Sequence, residues 1–137
     1  MAYQVDKFEL VELQVTSTAT ATRYFFPDLP KLRAKMMTSI ETYFATEINF
    51  APSGNVLVPP AILLNSYVVF YTNGTQDLWR IPWISLNRTQ IGVATPFVHE
   101  RQIFRPQSIT WDKSYIELGA TPAFGVNCSF LMGVYYS

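Results

Sequence analysis

The chain has one cysteine, one histidine and few charges, and each shortage removes a class of protein. Cys128 alone cannot close an intrachain disulfide, so this is not a small secreted scaffold held by cystines. His99 has no second histidine with which to build a zinc site. Cys128 lies in an apolar run and His99 in the charged run His99-Glu100-Arg101, so they read as unrelated residues rather than as nucleophile and base. Charged residues make up 15% of the chain, well below the usual quarter, and ten basic residues balance ten acidic ones. A protein that grips nucleic acid by neutralising phosphates needs a basic excess on one face, so no direct nucleic-acid partner is expected. There is no glycine-rich phosphate loop, no Gly-x-Ser-x-Gly elbow, no calcium loop and no internal repeat. No metal, cofactor or catalytic residue is expected.

The N-terminus, MAYQVDKFELVEL, has no basic stretch ahead of an apolar one, so no signal peptide is expected. The three Asn-x-Ser/Thr matches, at Asn73, Asn87 and Asn127, are then chance matches in a threonine-rich chain. Two uncharged segments invite a membrane reading. Asn49–Gln76 runs 28 residues without a charge but contains Pro59-Pro60, Asn65 and Ser66. Leu118–Ser137 is broken by Gly119, Pro122, Gly125 and Asn127. Neither supplies the roughly 20 continuous apolar residues of a spanning helix, so both read as buried strands.

What the chain does have is apolar and aromatic side chains in abundance: 49% hydrophobic and 15% aromatic. At 137 residues that is enough for one domain with one core, and the whole chain reads as a single β domain. Gln4–Val15 alternates as a strand, with Phe8 and Leu10 on one face and Val11, Leu13 and Val15 on the other. The change of phase at Leu10-Val11 calls for a bulge or for two apolar faces. The threonine-rich tract that follows, residues 16–24, reads as an arm or loop. Over Lys31–Phe50, Leu32, Met36, Ile40 and Phe44 repeat every four residues, whereas Ile40, Thr42, Phe44, Thr46, Ile48 and Phe50 alternate. The β-branched and aromatic content favours a strand from about Met36, with a short helix capped by Asp28 over Asp28–Met37 as the competing assignment.

Asn73-Gly74 between two apolar arms, Ala61–Thr72 and Leu78–Leu86, is the strongest hairpin signal in the chain. Pro82 lacks a ladder donor and places the second arm at an edge or a bulge. Both arms are apolar on both faces, so the hairpin should be covered on both sides. Ser108–Leu118 reads as one strand. Ala123–Tyr136 reads as another, with Phe124, Val126, Cys128, Phe130, Met132 and Val134 as its core row. Seven or eight strands with at most one short helix make an all-β fold, a single jelly roll or β-sandwich.

The order of these pieces is informative as a set. An opening FPDLPKLR leads to a strand ending SIETYF, then the hairpin LNSYVVFYTNGTQDLWRIPWISL, then SITWDKSYIEL, and finally a strand closing on VYY. Over roughly Phe25–Tyr136 this resembles the single jelly-roll capsid proteins, of penton or minor-capsid type, of tailless icosahedral membrane-containing bacteriophages. The resemblance implies a non-enzymatic virion subunit, made in the host cytoplasm. Its partners would be copies of itself and other capsid subunits, and the threonine-rich tract would lie outside the roll. It carries no site residue onto this chain. A low-charge, aromatic-rich chain associates readily, and the aromatic residues Tyr67, Tyr71, Trp79, Trp83, Tyr135 and Tyr136 are the candidate subunit interface. The alternative is a carbohydrate-binding β-sandwich in which such aromatics, with Trp111, stack on sugars. A third reading, an enzyme with a scattered acid pair among Glu41, Glu47 and Glu100, has no motif behind it.

Overall fold

The computed structural model describes residues 7–45, 50–73, 78–86, 102–119 and 124–137, with backbone only for 102–107. Among these are nine strands in two sheets. The first sheet holds β1 (Lys7–Val15), β9 (Cys128–Tyr136), β3 (Met36–Thr42) and β7 (Gln102–Ser108) in that order. The two-residue β4 (Val56–Leu57) joins it in parallel beside the start of β9. The second sheet holds β2 (Arg23–Phe25), β8 (Tyr115–Leu118), β5 (Ser66–Tyr71) and β6 (Leu78–Pro82).

Leaving out β4, the pairs nest. β5 pairs with β6, β3 with β7, β2 with β8 and β1 with β9, all antiparallel. This is one long antiparallel ribbon, with the β5–β6 hairpin at its tip, rolled so that alternate segments fall in opposite sheets. The jelly-roll expectation is therefore met in connectivity as well as in class.

The core lies between the sheets. From the first come Val11, Val15, Met37, Ile40, Phe44, Cys128, Phe130, Met132 and Val134; from the second, Val68, Phe70, Ile116 and Leu118. Trp83 meets Phe130 edge-on at 5.7 Å, and Trp111 sits edge-on to both Phe26 and Phe70, at 5.3 and 5.8 Å. The Thr42 hydroxyl crosses the interior to donate to the Trp83 carbonyl at 2.8 Å.

Several expectations change in detail. β1 has no bulge: its register to β9 is unbroken from Lys7↔Tyr136 to Val15↔Cys128, and the phase change reflects two apolar faces. The bulge is in β3, at Thr38, between the pairs Met37↔Tyr136 and Ser39↔Tyr135. The extra residue resets the alternation, so Met37 and then Ile40 face inward while Met36 is exposed. Met36 is therefore off the buried face, and the four-residue repeat of Leu32, Met36, Ile40 and Phe44 does not describe one inner row. The segment before β3 is one 3-10 turn, Pro30–Leu32, rather than a helix. Asp28 does not cap it; its carboxylate pairs with Arg33.

The first hairpin arm starts as a helical turn, α1 (Pro60–Leu63), with Pro60 at the first position, where its missing N–H costs nothing. The second arm ends at Pro82 and becomes a 3-10 turn over Trp83–Leu86. β6 is the edge of its sheet, as Pro82 requires. The stretch read as one strand, Ser108–Leu118, is split by a 3-10 turn at Trp111–Lys113. β9 begins at Cys128, so Val126 lies outside the core row and is 54% exposed.

Residues 16–22 of the threonine-rich tract are a loop held to the body, but Arg23 and Tyr24, assigned to the same arm or loop, belong to β2 inside the sheet. The Ser17 amide donates to Asn127 Oδ1, and the Leu118 amide donates to the Thr22 carbonyl. The proposed strand or turn over Phe97–Phe104 is described only from Gln102, and the loop assigned to Asn87–Pro96 lies outside the described residues.

Candidate functional site

The two sheets have different outer faces. On the first, residues of β9 that point away from the core are covered by this chain. Leu131 packs with Tyr43, Ala51 and Leu57 in a second, smaller apolar cluster. The covering turn holds Gly54 at φ +92°, a left-handed conformation that favours glycine. Glu12 anchors it: its carboxylate accepts from the Ser53 amide at 3.1 Å, from the Ser53 hydroxyl, and from the Ser129 hydroxyl at 2.6 Å. Further along β9, Gly133 leaves room for Phe8 and Tyr43, since a Cβ there would come within 2.6 Å of the Phe8 ring. Beside it, the Tyr43 and Tyr135 hydroxyls donate to Glu41 Oε1 at 2.6 and 3.1 Å, which satisfies a carboxylate only 3% exposed.

The outer face of the second sheet is built otherwise. Strand alternation puts Phe25, Tyr115, Val69 and Arg80 in one cross-strand row and Arg23, Glu117, Tyr67 and Pro82 in the next, followed by Tyr71 opposite Leu78. Each tyrosine ring of this face carries a cation. The Arg80 guanidinium lies 3.5 Å from the Tyr67 centroid, Arg23 lies 5.1 Å from Tyr115, and the Lys113 ammonium 5.0 Å from Tyr71. Such contacts are worth about 0.5–1 kcal/mol each on an exposed surface. Arg80 also reaches Glu117 at 3.5 Å. Phe25 packs on Tyr115 with ring centroids 5.0 Å apart.

Among the described residues no hydrophobic cluster builds on this face, and Phe25 and Leu78 remain 53% and 55% exposed. Val69, at the middle of its row between Tyr115 and Arg80, is nonetheless buried. The face is apolar and aromatic below, with three cations and one carboxylate above.

The six residues singled out from the sequence do not form one patch. Tyr67 and Tyr71 lie on this face. Trp83 is fully buried and belongs to the core, which removes it as an interface residue. Trp79 and Tyr136 pack partly buried against the same core, and Tyr135 lies on the other sheet beside Glu41. With Trp83 and Trp111 buried and Trp79 turned inward, the tryptophans make no sugar-stacking platform.

The residues missed are Arg23, Phe25, Arg80, Lys113, Tyr115 and Glu117. For Tyr115 and Glu117 the signal is the change of parity between Trp111 and Tyr115; Arg23, Phe25 and Arg80 reach the face by pairing between strands. One continuous strand over Ser108–Leu118 would keep Tyr115 on the same face as Trp111; the turn at Trp111–Lys113 sends it outward.

Cys128 is buried in the core, and desolvation pushes its thiol up to about 11, so it stays protonated and unreactive near neutrality. His99, Glu47 and Glu100 lie outside the described residues. Among the described residues no group of three or more His, Cys, Asp or Glu side chains could hold a metal ion, and no helix is long and apolar enough to cross a membrane. Comparison with protein-family models, curated proteins and solved structures returned no match.

Proposed function

We propose that this chain is a non-enzymatic structural subunit that associates with copies of itself and with other shell subunits, as a capsid protein of penton or minor-capsid type does in a virion. The fold alone does not choose this role, because jelly rolls serve capsids, lectins and cupins alike. The observation that carries the reading is the outer face of the second sheet, over which no apolar cluster builds among the described residues. It presents exposed Phe25 and Leu78 beside tyrosines whose cations offer directional contacts at the rim. Exposed apolar side chains at both edges of the sheet, with aromatic rings and arginines between them, are residue types that protein–protein interfaces enrich. The zero net charge lets like subunits approach without long-range repulsion. The capsid resemblance in the order of sequence pieces points the same way.

The test is light scattering after size exclusion over a range of concentrations, with electron microscopy of the assembled fraction. The wild type is expected to form closed oligomers or shells, and Phe25→Asp with Leu78→Asp to stay monomeric with an unchanged melting temperature. A wild type that remains monomeric, or an assembly indifferent to both substitutions, would overturn the proposal.

A further inference from the structure

A cleft of about 310 Å³ opens where the Asp28–Ala34 turn approaches the Thr110–Asp112 turn, away from both the covered face and the bare one. Its polar lining is dense for its size: Asp28, Arg33, Asn73, Thr110 and Asp112, with Ile109 and Trp111 as the apolar floor. Most of these groups are held in place. Asp28 pairs with Arg33. Asn73 donates to the Ser108 hydroxyl at 2.8 Å, accepts from the Thr110 hydroxyl, and is tied through its backbone amide to the Ser108 carbonyl at 2.9 Å. Trp111 is clamped between Phe26 and Phe70.

Two unfavourable features border this one cleft. The indole N–H of Trp111 is buried, in a residue 3% exposed, and has no acceptor among the described residues. Leaving such a donor unmet costs about 1–3 kcal/mol. Ala34 is the only non-glycine residue with positive φ among those described, at +59°, a conformation that costs an L-residue roughly 1–2 kcal/mol. Features of this kind persist where the site has a use for them.

The chemistry of the lining selects a ligand class. Two carboxylates flank one guanidinium, so a simple anion meets repulsion, while the guanidinium spoils the site for a cation. Acceptors (Asp28, Asp112), a donor (Arg33) and groups that do both (Asn73, Thr110) alternate over a short distance. That alternation matches adjacent hydroxyls, each of which donates and accepts at once. A volume of about 310 Å³ is at the lower end of small-ligand pockets, the size for one ring rather than a chain. We propose that this cleft binds one neutral sugar residue, such as the terminal unit of a glycan. The site differs from the aromatic platform expected from the sequence: its apolar contact is one buried tryptophan edge, and polar groups do the selecting.

The test uses the full chain and six neutral monosaccharides: glucose, galactose, mannose, fucose, N-acetylglucosamine and N-acetylgalactosamine. Saturation-transfer NMR and titration of backbone amide shifts are the readouts. At least one sugar should bind saturably with a millimolar constant and shift the Trp111 indole N–H resonance. Asp112→Ala and Arg33→Gln, both at exposed positions, should each weaken binding at least about tenfold without lowering the melting temperature. Glu117→Ala, on the bare face, should leave it unchanged. The proposal is overturned if none of the six binds saturably, if binding survives both cleft substitutions, or if inorganic phosphate or acetate binds there more tightly than every sugar. Because the readout needs no assembly, its failure and the failure of the shell-subunit reading are separate results.

Discussion

The two outer faces of this sandwich solve the same problem in different ways. Both carry apolar residues that alternation has turned away from the core. Over β9 the chain folds back on itself: Tyr43, Ala51 and Leu57 close over Leu131, and the carboxylate of Glu12 ties the turn down through Ser53 and Ser129. Over the second sheet nothing among the described residues does this. Arg80, Lys113 and Arg23 lie over Tyr67, Tyr71 and Tyr115, and Phe25 packs beside Tyr115. A carboxylate that accepts backbone and hydroxyl donors makes a permanent attachment, because releasing it strands several polar groups. A cation over a ring is worth less and can swing away. The first face is finished within the subunit, whereas over the second no apolar cluster closes among the described residues.

Substitutions can break this comparison, and the largest effect belongs to the covered face. Leu131→Ala should cost about 2–5 kcal/mol of stability, as expected for a cavity in a packed cluster, read from the denaturation midpoint. A cost below about 1 kcal/mol would mean that the cover is loosely held and the two faces are alike. Next, Glu12→Ala should cost about 1–3 kcal/mol and speed amide exchange at Ser53.

The interior between the faces answers to pH. The buried thiol of Cys128 titrates near 11 when folded and nearer 9 when unfolded, so the unfolded chain releases its proton first. Stability is therefore intact below about 9 and falls as pH rises toward 11, with a slope of at most about 1.4 kcal/mol per unit. Tyr24, whose hydroxyl is also pushed up by burial and then by the neighbouring Cys128, adds to the fall in the same direction at higher pH. Cys128→Ala should flatten the slope between 9 and 11 while lowering stability at neutral pH. An unchanged slope would place the titrating group elsewhere.

The smallest effect on stability belongs to the bare face. Arg80→Ala should change subunit stability by about 0.5–1 kcal/mol while weakening self-association severalfold, measured by light scattering. If it destabilised the subunit as much as Leu131→Ala, the bare face would be structural and the contrast would fail.

Much of the fold was legible because strand physics is local. The Asn73-Gly74 turn, Pro82 at an edge and the even-numbered row from Cys128 to Val134 each state a backbone preference or an alternation that no distant residue can reverse. Two of the misread stretches share one cause: a local insertion that shifts the alternation. The bulge at Thr38 and the turn at Trp111–Lys113 each reset parity, and past a reset the pattern names the wrong face. Trp83, expected at an interface, has a different cause: it keeps the parity of Trp79 and Ile81 and turns into the core with them, in the 3-10 turn after β6.

The candidate face was half legible for the same reason. Tyr67 and Tyr71 follow from one uninterrupted strand. Arg23, Phe25, Tyr115 and Glu117 reach it only through pairing between segments about 90 residues apart, as in Arg23↔Glu117. The sequence by itself determined that this protein would be a β-sandwich with an excess of apolar surface and no charge imbalance, since alternation, turn chemistry and composition are properties of the chain. Which part of that surplus is covered was decided by tertiary structure alone. It depends on where the rolled ribbon lays β4 and its turn, and that placement comes from contacts between residues far apart in sequence.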